Sequence, residues 1–207
     1  MTRQGGHLVF VLDDDPSVLR GLERLLKARG YTVATFQEAE AFFEALPPSL
    51  PACLILDNQL GDGITGLGVH AELQRRGWFI PTVFLTAHWN VQSVVQAMRA
   101  GADGFLTKPF DPDELVQAVA DALARASARH DELSQAVDAR SFATSLTSRE
   151  REIVKLVVAG LINKEIADRL NLALVTVKVH RGRAMRKLGA GNAAELARIA
   201  GLAGLLD

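Results

Sequence analysis

Short apolar runs alternate with helical patterns over the first 120 or so residues of the chain. The runs are aliphatic, aromatic or β-branched, and each has the length of a strand. They predict five strands: Leu8–Leu12, Tyr31–Phe36, Cys53–Leu56, Pro81–Leu85 and Gly104–Leu106. Turn and cap residues bound five helical stretches after these strands, which begin near Pro16, Glu38, Leu67, Val91 and Pro112.

Strands that are apolar throughout are typical of a parallel sheet whose two faces are both covered by helices. Five successive strand–helix units therefore predict an α/β unit with a (βα)5, flavodoxin-like fold. Such sheets bind ligands at the carboxyl ends of their strands. The residues that follow the strands are the first candidates for a functional site.

The pattern becomes entirely helical after Pro112. From Asp113 to about Arg140 the chain has no Pro or Gly, and a loose apolar stripe predicts one long helix, or a helix followed by a helical linker. The polar stretch Ser141–Ser145 is expected to break it. Four helices follow, predicted from Ser148 to Gly160 and over Asn163–Leu170, Thr176–Leu188 and Ala193–Leu205.

Composition and charge add to this picture. A hydrophobic fraction of 48% argues against disorder, and no apolar run approaches the 18–20 residues of a membrane span. The single cysteine, Cys53, cannot form an internal disulfide, so we expect a cytoplasmic protein. Residues 1–140 carry 12 Lys and Arg against 18 Asp and Glu, whereas residues 141–207 carry 11 against 6. This split indicates two domains, of which the basic one is a candidate for binding nucleic acid.

Carboxylates follow two of the predicted strands and should meet at one edge of the sheet. Asp13, Asp14 and Asp57 would repel one another there, and a divalent cation such as Mg²⁺ relieves that repulsion. Thr86 adds a hydroxyl and Lys108 a positive charge at the same edge. The set suits phosphoryl transfer to Asp57, because a carboxylate can attack phosphorus while the cations neutralise the phosphoryl oxygens.

Four motifs extend this hypothesis to a family. Val11–Asp15, Leu56-Asp57, Leu85–Ala87 and Lys108–Phe110 resemble the receiver domain of two-component response regulators. The resemblance implies that Asp57 accepts phosphate from a sensor histidine kinase. It implies Mg²⁺ ligation by Asp14, Asp57 and the backbone carbonyl of Gln59, with Asp13 acting partly through water. Thr86 and Lys108 would bind the phosphoryl group, Thr86 and Phe105 would act as the switch, and the Lys108–Pro109 bond would be cis.

The loop after Asp57 departs from the family pattern. It lacks the usual proline, is one residue longer, and contains Gly61, Asp62 and Gly63. Phosphorylation kinetics and metal affinity are therefore expected to differ from those of relatives. The same loop has the spacing G-x-G-x-x-G, ending at Gly66. A dinucleotide-binding fingerprint belongs after the first strand and needs an acidic residue about 20 positions later, so we interpret this match as coincidental.

The predicted helix Thr176–Leu188 has two different faces at the helical period. Val177, Ala184 and Leu188 form a packing face. The opposite face suits a major groove, where basic side chains contact guanines or phosphates and Val a thymine methyl. It consists of Lys178, Val179, Gly182, Arg183 and Arg186. The tight turn Asn171–Val175 and the short helix before it have the outline of a helix-turn-helix.

Four stretches resemble the LuxR-type helix-turn-helix: Leu146–Glu152, Gly160–Ala167, Thr176–His180 and Lys187–Gly189. The whole chain thus resembles a FixJ/NarL-type transcriptional response regulator. Family usage puts Lys178 and Val179 at base edges and Lys164 and Thr176 at the DNA backbone. The last helix pairs two subunits on DNA in relatives, although its apolar face could equally pack on its own domain.

We therefore predict a receiver domain over residues 1–123, a helical linker over 124–143 and a LuxR-type domain over 144–207. The expected partners are a histidine kinase, a double-stranded DNA operator, a second copy of the chain after phosphorylation, and RNA polymerase. Two alternatives stay open. The first is a phosphatase with an Asp nucleophile, which would carry a second Asp where this chain has Gln59. The second is a regulator that binds DNA constitutively, which would not need the three carboxylates of the pocket. We expect that the protein is not an enzyme.

Overall fold

The computed structural model describes residues 7–46, 51–61, 63–87, 98–99 and 101–206, and all five predicted strands are present. They form one parallel sheet in the order β2-β1-β3-β4-β5. Each strand begins and ends within one residue of its predicted bounds. The strands are β1 (Leu8–Leu12), β2 (Thr32–Phe36), β3 (Ala52–Asp57), β4 (Thr82–Thr86) and β5 (Gly104–Thr107).

Helices cover both faces of this sheet. They are α1 (Pro16–Ala28), α2 (Ala39–Glu44), α3 (Gly66–Arg75) and the first part of α4 (Pro112–Thr144). The Asp15 carboxylate caps α1 by accepting a 2.7 Å hydrogen bond from the Ser17 N–H, and Pro16 is the first helical residue, as predicted. The helix predicted over Val91–Ala100 lies outside the described residues apart from Met98 and Arg99.

Alternate residues of each strand enter two separate cores. Val9 and Val11 of β1 pack with α1 and α4, whereas Phe10 and Leu12 pack with α2 and α3. Because both sides of the sheet are buried, its central strands need apolar residues at every position. This explains why the sequence shows uninterrupted apolar runs instead of an alternating pattern.

Helix α4 is continuous for 33 residues and ends at Thr144, so it extends into the stretch Ser141–Ser145, where a break was predicted, and ends within that stretch. Two hydroxyl groups satisfy carbonyls of the last turn: Thr144 donates to the Ser141 carbonyl and Ser145 to the Phe142 carbonyl, each at 2.6 Å. Ala143 is buried in this turn, which gives the helix a packing partner there. Neither α4 nor another described helix is long and apolar enough to cross a membrane.

The chain divides into two units, Met1–His130 and Asp131–Asp207, and the second is entirely helical among its described residues. Its core is formed by the end of α4 and four further helices. These are α5 (Ser148–Val158), α6 (Asn163–Leu170), α7 (Leu174–Lys187) and α8 (Ala193–Leu202).

One helix start agrees with the prediction and one differs from it. Helix α5 begins at Ser148, as predicted, and Thr147 caps it, because the Thr147 hydroxyl accepts from the Glu150 N–H while the Glu150 carboxylate accepts from the Thr147 N–H. Helix α7 begins two residues early, at Leu174, because the Thr176 and Val177 N–H groups both donate to the Ala173 carbonyl.

Glu150 links the start of α5 to the end of α7. Its side chain is only 3% exposed, and Lys187 Nζ lies 2.6 Å from its Oε2 atom. Lys187 also donates to the Ser145 carbonyl at 2.9 Å. Burial by itself raises the pKa of Glu150, but the hydrogen bonds from Lys187 and Thr147 outweigh it and hold that pKa below its usual value.

We expect the substitution Glu150→Ala to destabilise the second unit by about 2–3 kcal/mol, because it removes a helix cap and leaves Lys187 without its carboxylate. Far-UV circular dichroism during urea unfolding measures this loss. Glu152→Ala is the matched control: it removes an exposed glutamate of the same helix and should change stability by less than about 0.5 kcal/mol. Equal losses for both variants would contradict the assignment.

The lowered pKa of Glu150 also predicts a dependence on pH. A carboxyl group whose pKa is lower in the folded state stabilises the protein above its unfolded-state pKa, near 4.5. That stabilisation is lost as the pH falls through the lowered folded-state pKa. The free energy of unfolding of Glu150→Gln should therefore differ most from that of the wild type at neutral pH, and this difference should become smaller in acid.

Candidate functional site

Three carboxylates meet at the carboxyl edge of the sheet. Leu12 and Leu56 are partners in neighbouring strands, so the residues that follow them, Asp13 and Asp57, lie side by side. Together with Asp14, each contributes one oxygen atom, and these atoms all lie within 4.8 Å of one another. The sequence predicted this convergence from strand ends alone.

Lys108 extends from the end of β5 to these carboxylates. Its Nζ atom lies 2.6 Å from Asp13 Oδ2 and 3.0 Å from Asp57 Oδ2. Burial raises the pKa of Asp13, and the hydrogen bond from Lys108 only partly opposes this effect. Burial lowers the pKa of Lys108, but its two carboxylate partners outweigh burial and raise it. Lys108 is therefore a fixed positive charge in the pocket.

The other predicted residues of the pocket occupy different positions around it. Thr86 is buried at the end of β4. Phe105 lies in β5 opposite Phe84 and packs partly buried in the core next to α2 and α3. The Gln59 N–H donates to Asp57 Oδ1 at 3.3 Å. The Lys108–Pro109 peptide bond is cis, as the resemblance implied.

The oxygen-rich set fits a hard divalent cation. Oxygens that share one Mg²⁺ at about 2.1 Å lie at most about 4.2 Å apart. One oxygen atom from each of Asp13, Asp14 and Asp57 lies within 4.8 Å of the others, which is close to this geometry. Asp15 is engaged elsewhere, because its carboxylate caps α1.

The glycines of the following loop have backbone roles that the sequence did not reveal. Gly61 has a φ of +58°, which favours glycine. A Cβ atom on Gly66 would lie 2.3 Å from the Asp57 carbonyl oxygen, so only glycine lets α3 start this close to the acidic strand. The last glycine of the apparent dinucleotide motif, Gly66, is therefore explained by packing against Asp57. The sequence signal for this close approach is a glycine at the start of the helix that follows a strand ending in an acidic residue.

The second candidate site is the exposed face of α7. The predicted packing residues Val177, Ala184 and Leu188 are buried in the second unit. The opposite face is accessible to solvent, and Gly182 within it has open space, since a Cβ atom added there would meet no other atom within 4 Å. The residues of this face are Lys178, Val179, Gly182, Arg183 and Arg186; Thr176 flanks it, and Lys164 is exposed on α6.

Arg181 positions α7 against α6, which the sequence analysis missed. Its Nη1 atom donates to Asn163 Oδ1 at 2.7 Å, at the first residue of α6. No spacing motif marks such a contact between helices. On the apolar face of α8, Leu196, Ile199 and Ala200 lie in the core of their own unit.

Comparison with known proteins identifies both halves of the chain. Residues 9–120 match the family described as the response regulator receiver domain. Residues 144–200 match the family described as bacterial regulatory proteins of the luxR family. The two matches agree with the two resemblances predicted from the motifs.

Curated relatives are similar over nearly the whole chain. Nodulation protein W of Bradyrhizobium diazoefficiens is 37% identical over 98% of this chain and 92% of its own length. The transcriptional regulatory protein FixJ of the same species is 34% identical over 98% of both chains. The response regulator protein TodT of Pseudomonas putida is 34% identical over 93% of this chain and 84% of its own length.

Solved structures agree with this assignment. The response regulator StyR has a TM-score of 0.82 and 38% identity, covering 95% of this chain and 99% of StyR. Full-length FixJ from B. japonicum has a TM-score of 0.58 and 33% identity, covering 98% and 99% of the two chains.

The close approach at Gly66 predicts a measurable cost. Gly66→Ala should destabilise the first unit by about 2–3 kcal/mol, because the added methyl group forces the Asp57 backbone to move. Gly21→Ala, which meets nothing within 4 Å in the middle of α1, should instead stabilise it by about 0.5–1 kcal/mol. Tryptophan fluorescence during urea unfolding reports this unit, since both tryptophans of the sequence precede residue 131. A neutral Gly66→Ala substitution would contradict the packing argument.

Proposed function

The chain belongs to the response regulators that join a receiver domain to a LuxR-type DNA-binding domain, and from this premise we propose how it works. A sensor histidine kinase phosphorylates Asp57, and the phosphate controls dimerisation and sequence-specific DNA binding in the cytoplasm. The observation that carries the proposal is the position of Lys108 Nζ between Asp13 and Asp57. The receiver comprises residues 1–123, the linker 124–143 and the DNA-binding domain 144–207.

Phosphoryl transfer would use the groups of the acidic pocket. An oxygen of Asp57 attacks phosphorus, and the bond from phosphorus to the kinase histidine breaks, with the electron pair leaving on the imidazole nitrogen. Lys108 is close enough to neutralise charge on the phosphoryl oxygens. Asp14, Asp57 and the backbone carbonyl of Gln59 would hold Mg²⁺, with Asp13 acting through water. The cation supplies additional positive charge when bound.

The switch would pass from Asp57 to β5. The Thr86 hydroxyl donates to a phosphoryl oxygen, which draws in the end of β4. Thr86 pairs with Thr107 of β5, and Phe105 lies two residues before Thr107 in that strand. A change at Thr86 is therefore transmitted to the side chain of Phe105 and alters the surface through which two copies associate.

The DNA-binding domain would place α7 in the major groove. Lys178 and Val179 contact base edges, and Arg183, Arg186 and the backbone of Gly182 lie close to the DNA. Lys164 and Thr176 contact phosphates. Dimerisation joins two such domains, so the operator should contain paired half-sites. RNA polymerase is the partner expected at the promoter.

The acceptor assignment predicts the behaviour of Asp57→Asn. The wild-type protein should incorporate phosphate from a small acyl phosphate donor with Mg²⁺ present, and hydroxylamine should release it, as expected for an acyl phosphate. Asp57→Asn should incorporate none, because an amide is a poor nucleophile. Asp121→Asn, which changes an exposed carboxylate of α4, is the control and should react like the wild type. Incorporation into Asp57→Asn would refute the assignment.

The DNA contacts predict two distinct effects on affinity. Lys178→Ala should weaken binding to a selected operator by about 10-fold or more and relax its sequence preference. Lys164→Ala should weaken binding to all sequences. The slope of log affinity against log salt concentration should become shallower by about one, because one fewer counterion is released. Fluorescence anisotropy at several salt concentrations measures both. Lys27→Ala in α1 serves as the control. Operator affinity that does not depend on acyl phosphate would favour a constitutive regulator.

A further inference from the structure

Two valines on the exposed side of α7 lie outside the hydrophobic core of the unit. Val175 is 66% exposed and Val179 is 45% exposed, whereas Val177 between them is fully buried. Residues four apart lie on the same face, one turn from each other. The two side chains therefore form an aliphatic ridge. At the helical period, the basic side chains of Lys178 and Arg183 flank this ridge on either side.

Helix stability does not explain these residues. Valine is a weaker helix former than alanine, because its branched side chain loses rotamer freedom. The start of α7 is already weak, since its cap residue, Ala173, makes no side-chain hydrogen bond. At such exposed positions alanine would favour the helix more than valine does.

The ridge matches one chemical feature of the major groove. Thymine is the base that presents a methyl group there, and apolar side chains recognise it by contact. The stiff χ1 angle of valine fixes its methyl groups before binding, so little entropy is lost on contact. Four helical residues span about 6 Å, which corresponds to about two base-pair steps of 3.4 Å.

We propose that Val175 is a further specificity residue, which together with Val179 recognises thymine methyl groups in each half-site. This inference rests on the proposed binding of DNA through α7. Gly182 adds to it, because the open space at its Cβ position lets the duplex approach the ridge. Each half-site should contain thymines about two base pairs apart, and their methyl groups should contribute to affinity.

The test begins with the full chain and removes one methyl group at a time from the DNA. Operators are selected from random duplexes, and each conserved thymine is then replaced by deoxyuridine, which lacks only the methyl group. Wild-type affinity should fall about fourfold for each methyl that is contacted. Anisotropy titration of the labelled duplexes measures the change.

Protein variants locate the contact. Val175→Ala should weaken binding to the thymine operator by about fourfold or more, and the penalty for deoxyuridine should disappear at one position of each half-site. Val137→Ala is the matched control, because Val137 is an equally exposed helical valine, 64% exposed, in the same unit but outside α7. It should leave both affinities unchanged. Circular dichroism checks that Val175→Ala folds at least as well as the wild type.

The outcomes separate this inference from the proposed function. If an operator is selected but Val175→Ala keeps every deoxyuridine penalty, the role of Val175 is wrong and DNA binding stands. If replacement by deoxyuridine leaves the affinity unchanged at every thymine, the proposed recognition of methyl groups is wrong. If no sequence is enriched with or without phosphodonor, DNA binding through α7 itself fails.

Discussion

Repulsion between neighbouring carboxylates is the constraint on which the first unit depends. Parallel pairing of β1 with β3 brings Asp13 beside Asp57, and the burial of Asp13 makes its charge costly. Lys108 offsets this cost from the end of a different strand, β5. The acidic pocket can exist only when β1, β3, β4 and β5 have paired, since its charges come from the ends of β1, β3 and β5. Folding and the chemistry of the site are therefore coupled.

The second unit depends on a comparable arrangement of polar anchors. Lys187 attaches the end of α7 to Glu150 of α5, and Arg181 attaches its middle to Asn163 of α6. Because Val177 and Ala184 of the same helix are also buried in the core, the rotation of α7 about its axis is determined. The exposed face is therefore presented in one orientation, and a helix that reads base edges needs this rigidity.

Much of the fold and the acidic site could be predicted, because both follow from local patterns. Apolar runs identify buried strands, and parallel strands bring their carboxyl ends together, which placed Asp13, Asp14 and Asp57 in one pocket. Contacts between distant residues gave no such signal. The pairing of Glu150 with Lys187 and the approach of Gly66 to the Asp57 carbonyl depend on the packed structure. The extension of α4 to Thr144, within the stretch predicted to break it, was missed because hydroxyl groups can also bond carbonyls within a helix.

The open space at Gly182 bears on how such regulators diverge. Alanine or a longer straight side chain at this position would meet no neighbouring atom within 4 Å at its Cβ and would favour the helix by up to about 1 kcal/mol relative to glycine. Substitution of Gly182 by alanine or by such a side chain therefore meets no steric obstacle at Cβ and favours the helix. If α7 binds DNA as proposed, a substitution here would change the surface that faces the DNA while the core stays intact. Helix stability is therefore not what favours glycine at this position.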